Sequence, residues 1–133
     1  MLAPRMGNEP QPPNPRRILG LAGEAAAASQ LARDGLEIVA RGFRARCGEI
    51  DLIARDGPIV VFVEVKTRTS SAFGTPAEAV TAEKRRRIAR AASVFLVQAG
   101  WSDRACRFDV VEVVPVGVGW RVTRIVDAFR TGD

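Results

Sequence analysis

The sequence has no histidine and no tyrosine, and only two cysteines, Cys47 and Cys106, among its 133 residues. Without histidine there is no imidazole base for catalysis, and the zinc sites that mix imidazole with thiolate are excluded. The cysteines have no CxxC spacing, so they read as free thiols of a cytoplasmic protein. Aromatic residues make up only 6% of the chain, which leaves few rings for nucleic-acid bases to stack on. Long apolar runs are missing too. Residues 59–63 and residues 110–114, the latter broken by Glu112, are the longest, far short of the ~20 needed to cross a bilayer, and no membrane partner is expected. Residues 1–17 lack the apolar centre of a signal peptide.

What is present suits a globular domain: 47% apolar residues, 26% charged residues and enough length for one core. A net charge of +5 points to an anionic partner, nucleic acid first. Five prolines between Pro4 and Pro15 mark residues 1–17 as a disordered tail, leaving residues 18–133 as a single domain.

Leu19, Ala22, Ala26 and Leu31 recur at helical spacing and predict a helix over 18–34, stopped by Gly35. Residues 36–46 alternate apolar and basic side chains, as a half-buried strand does. Two more strands, 49–54 and 59–67, flank an Asp56-Gly57 turn. Thr75-Pro76-Ala77-Glu78 reads as a capping box opening a second helix, which runs toward Gly100 with a break near Thr81. Strands over 107–114 and 120–126 follow, around a turn at 117–119. The order αβββαββ predicts an α/β fold, a mixed sheet of about five strands flanked by two helices. Trp101 and Trp120 sit at element ends as packing residues.

The central hairpin carries charges that a plain core strand would not. A two-residue turn at Asp56-Gly57 pairs Ala54 with Ile59 and sets Glu49 opposite Glu64. Glu49, Asp51, Phe62, Glu64 and Lys66 then share one face, with Asp51 and Glu64 as diagonal neighbours. A three-residue turn would split the acids onto opposite faces. Two close carboxylates repel unless a cation lies between them. Without histidine, that cation is a hard divalent ion such as Mg²⁺ or Mn²⁺ held by oxygen. Lys66 on the same face could orient a nucleophilic water or offset developing charge, which together describes a phosphodiester hydrolysis site. A Glu-x-Lys triplet in a strand is also a common solvated pair, so the chemistry rests on Asp51 being its neighbour.

Asp51 followed after twelve residues by Glu64-Val65-Lys66 resembles the PD-(D/E)XK nuclease superfamily. Gly48-Glu-Ile-Asp-Leu-Ile-Ala54, Phe62-Val-Glu-Val-Lys-Thr-Arg68, Phe73-Gly74, Ala79-Val80 with Lys84, and Arg107-Phe-Asp-Val-Val111 are similar to the bacterial YraN family. The resemblance covers about residues 19–129. It implies a restriction-endonuclease-like fold, Asp51, Glu64 and Lys66 as catalytic core, and Asp51 and Glu64 as ligands of Mg²⁺ or Mn²⁺. It implies Glu24 as an additional acid near the metal, an exposed helix charge being the other reading, and leaves Glu49 as a further candidate ligand. Resolvase-like relatives imply a homodimer. Ile50 stands where the superfamily name has proline, and Gly42 where YraN-type sequences often have asparagine.

Lys84, Arg87 and Arg90 recur at i, i+3 and i+6, and with Arg68 they form a candidate grip on a DNA phosphate backbone. A solvated helix face is the plainer reading of that run. Asp109, in an apolar strand, reads as a structural acid paired with an arginine. The expected function is a metal-dependent endonuclease-like protein hydrolysing DNA, branched or structured DNA among its substrates. The alternative is a non-catalytic module that binds nucleic acid or protein on a nuclease fold.

Overall fold

Asn14 and Pro15 open the first helix. The Asn14 side chain accepts a hydrogen bond from the Arg16 amide at 2.9 Å, and proline takes the first turn, where a missing amide costs nothing. Helix α1 therefore spans Pro15–Arg33, beginning three residues before the expected start at residue 18. The computed structural model describes residues 12, 14–69 and 79–130, so the capping box expected at residues 75–78 lies outside the described residues.

After α1 come β1 (Glu37–Ala45), β2 (Gly48–Asp56), β3 (Ile59–Thr67), α2 (Ala82–Ala99), β4 (Cys106–Val116) and β5 (Gly119–Phe129). This is the predicted αβββαββ order. The strands form one mixed sheet in sequence order, parallel only between β3 and β4, where α2 makes the crossover. Thr81, the expected break, is the N-cap of α2: its hydroxyl accepts from the Lys84 amide at 3.2 Å. Gly100, at φ 73, closes that helix in the left-handed conformation.

Alternate side chains of the sheet bury into two separate cores. Leu52, Ala54, Val61, Val63, Val111 and Val113 pack against Ala27, Ala28 and Leu31 of α1. Ile53, Phe62, Phe108 and Val110 pack against Ile88, Ala91 and Ala92 of α2. Period-two burial of this kind fixes which face every polar residue in β3 must take. Two glycines set how closely the helices dock. A Cβ on Gly23 would run into the Thr67 hydroxyl and come within 2.9 Å of a Val113 methyl, so α1 lies directly on those sheet side chains there. A Cβ on Gly48 would lie 2.8 Å from the Arg87 carbonyl oxygen, which pins the start of β2 to α2.

The central hairpin departs from expectation in register. Asp56 pairs with Ile59 and Leu52 with Val63, so the loop is Gly57-Pro58 and not Asp56-Gly57. A type I′ turn would need positive φ at Asp56; only Gly57 has it, at φ 59, as a II′ turn requires at its first central position. Asp56 stays in the strand and binds Arg107 at 2.9 Å. The shift is two residues, so face parity survives. Glu49 is no longer opposite Glu64; it pairs across from Arg44 in β1.

Asp109 has the structural role expected of it. Fully buried, it takes Arg107 at 3.0 Å, Arg124 at 3.8 Å and the Asp127 amide at 2.9 Å. That last bond holds Asp127 at φ 53 beside the register shift between β4 and β5. Trp101 packs edge-on to Phe95, with Arg55 and Arg104 over its ring.

Candidate active site

The β2–β3 ladder ends at Leu52 opposite Val63, and the two strands part beyond it. The Val65 amide there donates to Asp51 Oδ2 at 2.8 Å, so the carboxylate takes the place of a ladder carbonyl. The Asp51 carboxyl lies beside that of Glu64 on the wall of one cleft. Glu64 is buried, at 5% exposure, and sits on the face of β3 that carries Phe62 and Lys66. An open cleft of about 870 Å³ forms where the strands separate, lined by Glu24, Asp51, Glu64, Lys66, Arg68 and Lys84 among others.

Charge in the cleft is unbalanced in a particular way. Burial, then the neighbouring Glu64 carboxylate, pushes the Asp51 carboxyl up to about 7, against the restraint of the Val65 amide. Glu24, half-buried on α1, is also raised, by burial and then by Glu49 and Glu64. Lys66 lies 3.7 Å from Glu64, and burial followed by the adjacent Lys84 lowers its pKa. Burial opposes the charged form of Lys84 as well, but its hydrogen bond to Glu64 and the surrounding acids outweigh this and raise its pKa. Lys84 forms a direct ion pair with Glu64.

Asp51, Glu64 and Lys66 are thus brought together as the sequence predicts, and Glu24 lines the same cleft. Glu49 does not line that cleft: it is half-exposed and pairs with Arg44 at 3.7 Å, yet stands near enough to Glu24 to raise its pKa. Among the described residues, no three His, Cys, Asp or Glu side chains gather closely enough to make a ready metal cage. The neighbouring Asp51 and Glu64 carboxyls offer oxygen donors of the kind that would suit Mg²⁺ or Mn²⁺, with water and phosphate oxygens completing the shell. The four basic candidates separate. Lys84 lies inside the cleft, Arg68 is tied to buried Glu112 at 3.3 Å, Arg87 pairs with Glu83 at 2.6 Å on the surface, and Arg90 is exposed.

Two contributors escape the sequence reading. Arg16 lines the cleft because α1 starts early, which the Asn14-Pro15 pair could have signalled. Glu112 interrupts an apolar strand at the position beside Lys66, and a buried acid there calls for a cation such as Arg68.

Residues 23–113 match the model of the uncharacterised protein family UPF0102. The chain belongs to the UPF0102 family. This agrees with the YraN-type motifs. A UPF0102 protein of Symbiobacterium thermophilum is 59% identical over 99 residues, 74% of this chain and 84% of the relative. A Geotalea daltonii member is 47% identical over 117 residues, 87% and 92% of the two chains. A member from Nocardia farcinica is 52% identical over 99 residues, 74% and 78%. The matched UPF0102 segment begins at Gly23 and contains Glu24, Asp51, Glu64, Lys66 and Lys84. No helix among the described residues is long and apolar enough to cross a membrane.

Proposed function

We propose that this UPF0102 protein is a metal-dependent endonuclease-like enzyme that hydrolyses phosphodiester bonds in DNA. One observation carries the reading: the half-buried Asp51 carboxyl and the buried Glu64 carboxyl lie side by side in an open cleft with Lys66 beside them. A paired acid whose proton is lost only near neutral pH is a costly arrangement for stability and a useful one for capturing a hard cation. Asp51 and Glu64 would hold Mg²⁺ or Mn²⁺, with Glu24 of α1 lining the same cleft. The ion supplies Lewis-acid stabilisation of phosphoryl oxygens and an acidified water. The Val65 amide fixes the Asp51 carboxylate, so its second oxygen keeps one direction. Lys66, with a lowered pKa, is suited to orient the attacking water and to hold or pass a proton at Nζ. Lys84 and Arg68 would meet the phosphates on either side. With 6% aromatic residues, recognition through the backbone is favoured over stacking on bases.

The Lys84–Glu64 ion pair favours a second reading, in which lysine already neutralises the acid and the fold only binds nucleic acid or protein. A cleavage assay with Mn²⁺ or Mg²⁺ on branched, flapped and single-stranded DNA separates the two. Hydrolysis that disappears in Asp51→Ala and Glu64→Ala supports the enzyme. A protein that cuts none of these, with Mn²⁺ binding unchanged in both variants, rules it out.

A further inference from the structure

The active-site cleft does not end at Lys84. Lys84 also lines a smaller recess with Gly48, Glu49 and Arg87, and those last three line a further recess that contains Arg44 and Arg46. The shared lining residues set the three hollows in a row from Asp51 toward the tip of the β1–β2 hairpin. Asp51 lies three residues along β2 from Gly48, ~10 Å at ~3.3 Å per residue, and Arg46 sits in the turn just beyond, so the row of hollows runs roughly 13 Å past the acids. Along one strand of a duplex this is about four nucleotides at ~3.4 Å each.

The far end of the row is cationic and held in place. Arg44 and Arg46 come from the hairpin, Arg87 from α2, and the missing Cβ of Gly48 lets the two elements touch through the Arg87 carbonyl. Arg44 pairs with Glu49 and Arg87 with Glu83, but both acids are more than half exposed, and such pairs are weak enough to exchange for phosphate. Arg46 makes no ion pair among the described residues.

We infer that Arg44, Arg46 and Arg87 form a second phosphate subsite, which receives the backbone of duplex DNA about four nucleotides from the bond held at Asp51 and Glu64. This rests on the proposed function and names the path its substrate takes. A strand pinned at two fixed points cannot slide or tilt, so the subsite sets which phosphate reaches the acids.

The test is fluorescence anisotropy of a labelled duplex oligonucleotide with the full chain in EDTA, over a range of salt. Arg44→Gln with Arg46→Gln removes two phosphate-binding guanidiniums. Removing each should weaken binding about eightfold at 0.1 M salt and flatten the plot of log K against log salt by about 0.9. Arg121→Gln with Arg130→Gln removes the same charge from exposed positions on the opposite edge and should change neither quantity. Equal weakening in both pairs would reduce the effect to bulk charge and overturn the subsite. So would an unchanged slope in the first pair. Tighter binding of an RNA duplex than of DNA would overturn the assignment to DNA. If wild-type protein cuts DNA but the first pair binds normally, only the subsite fails; if wild type neither binds nor cuts DNA, the parent reading fails with it. Thermal unfolding of both pairs should match wild type, since all four side chains are exposed.

Discussion

Asp51 carries a large electrostatic cost. Its folded pKa of about 7 lies above the ordinary 3.8, so the folded state holds its proton more tightly than the unfolded chain does. The sign follows from linkage: the contribution to stability is complete below pH 3.8 and is lost as pH rises toward 7. Above that, the ionised carboxylate sits beside Glu64 at the protein's expense. Asp51→Asn removes the charge and keeps a side-chain oxygen for the Val65 amide. Without divalent metal, this variant should be about 1–3 kcal/mol more stable than wild type at pH 8, and indistinguishable at pH 4. Urea unfolding at both pH values measures it. A variant that is less stable at pH 8 would mean that the two carboxyls do not repel in the folded protein. The same substitution should abolish activity, so a gain in stability and a loss of function are expected together.

Gly23 shows how an element delivers a residue. Glycine inside a helix normally costs about 1 kcal/mol relative to alanine, yet here the space for a Cβ is taken by Thr67 and Val113. Gly23→Ala should therefore destabilise by about 1–3 kcal/mol, as overpacking does, and lift Glu24 from the cleft. A rise in stability, read by thermal unfolding, would show that α1 does not lie so close. Much at this level is legible in sequence. The strand and helix order follows from apolar period, and Asp51, Glu64 and Lys66 come together because a two-residue loop preserves parity. What is not legible depends on distant partners. The hairpin register is set by Asp56 remaining in its strand against Arg107, 51 residues away, which no local turn pattern contains. Lys84 reads from helical spacing as a surface cation like Arg87. Its place in the cleft depends instead on how α2 docks over β2, through the close approach of Gly48 to Arg87.

At the scale of the whole molecule, these features would couple capture of the proposed metal to folding. The acids lie where β2 and β3 part, so their repulsion acts on the joint between the β1–β2 hairpin and the remaining three strands. A cation bound there would join both halves and act on global stability, since ligands that bind only the folded state stabilise it by mass action. At 100 times its dissociation constant, Mn²⁺ should contribute about 2.7 kcal/mol, roughly a 10 °C rise in Tm for a domain of this size. Binding must displace the Asp51 proton below pH 7, so apparent affinity should fall about tenfold for each pH unit between 7 and 5. The Mn²⁺-induced rise in Tm should thus be full at pH 8, small at pH 5.5, and missing at both in Asp51→Asn. Scanning calorimetry with and without Mn²⁺ reads all four conditions. An equal rise at pH 5.5 and pH 8, or one that persists in the variant, would place the ion elsewhere and detach the cleft from metal chemistry.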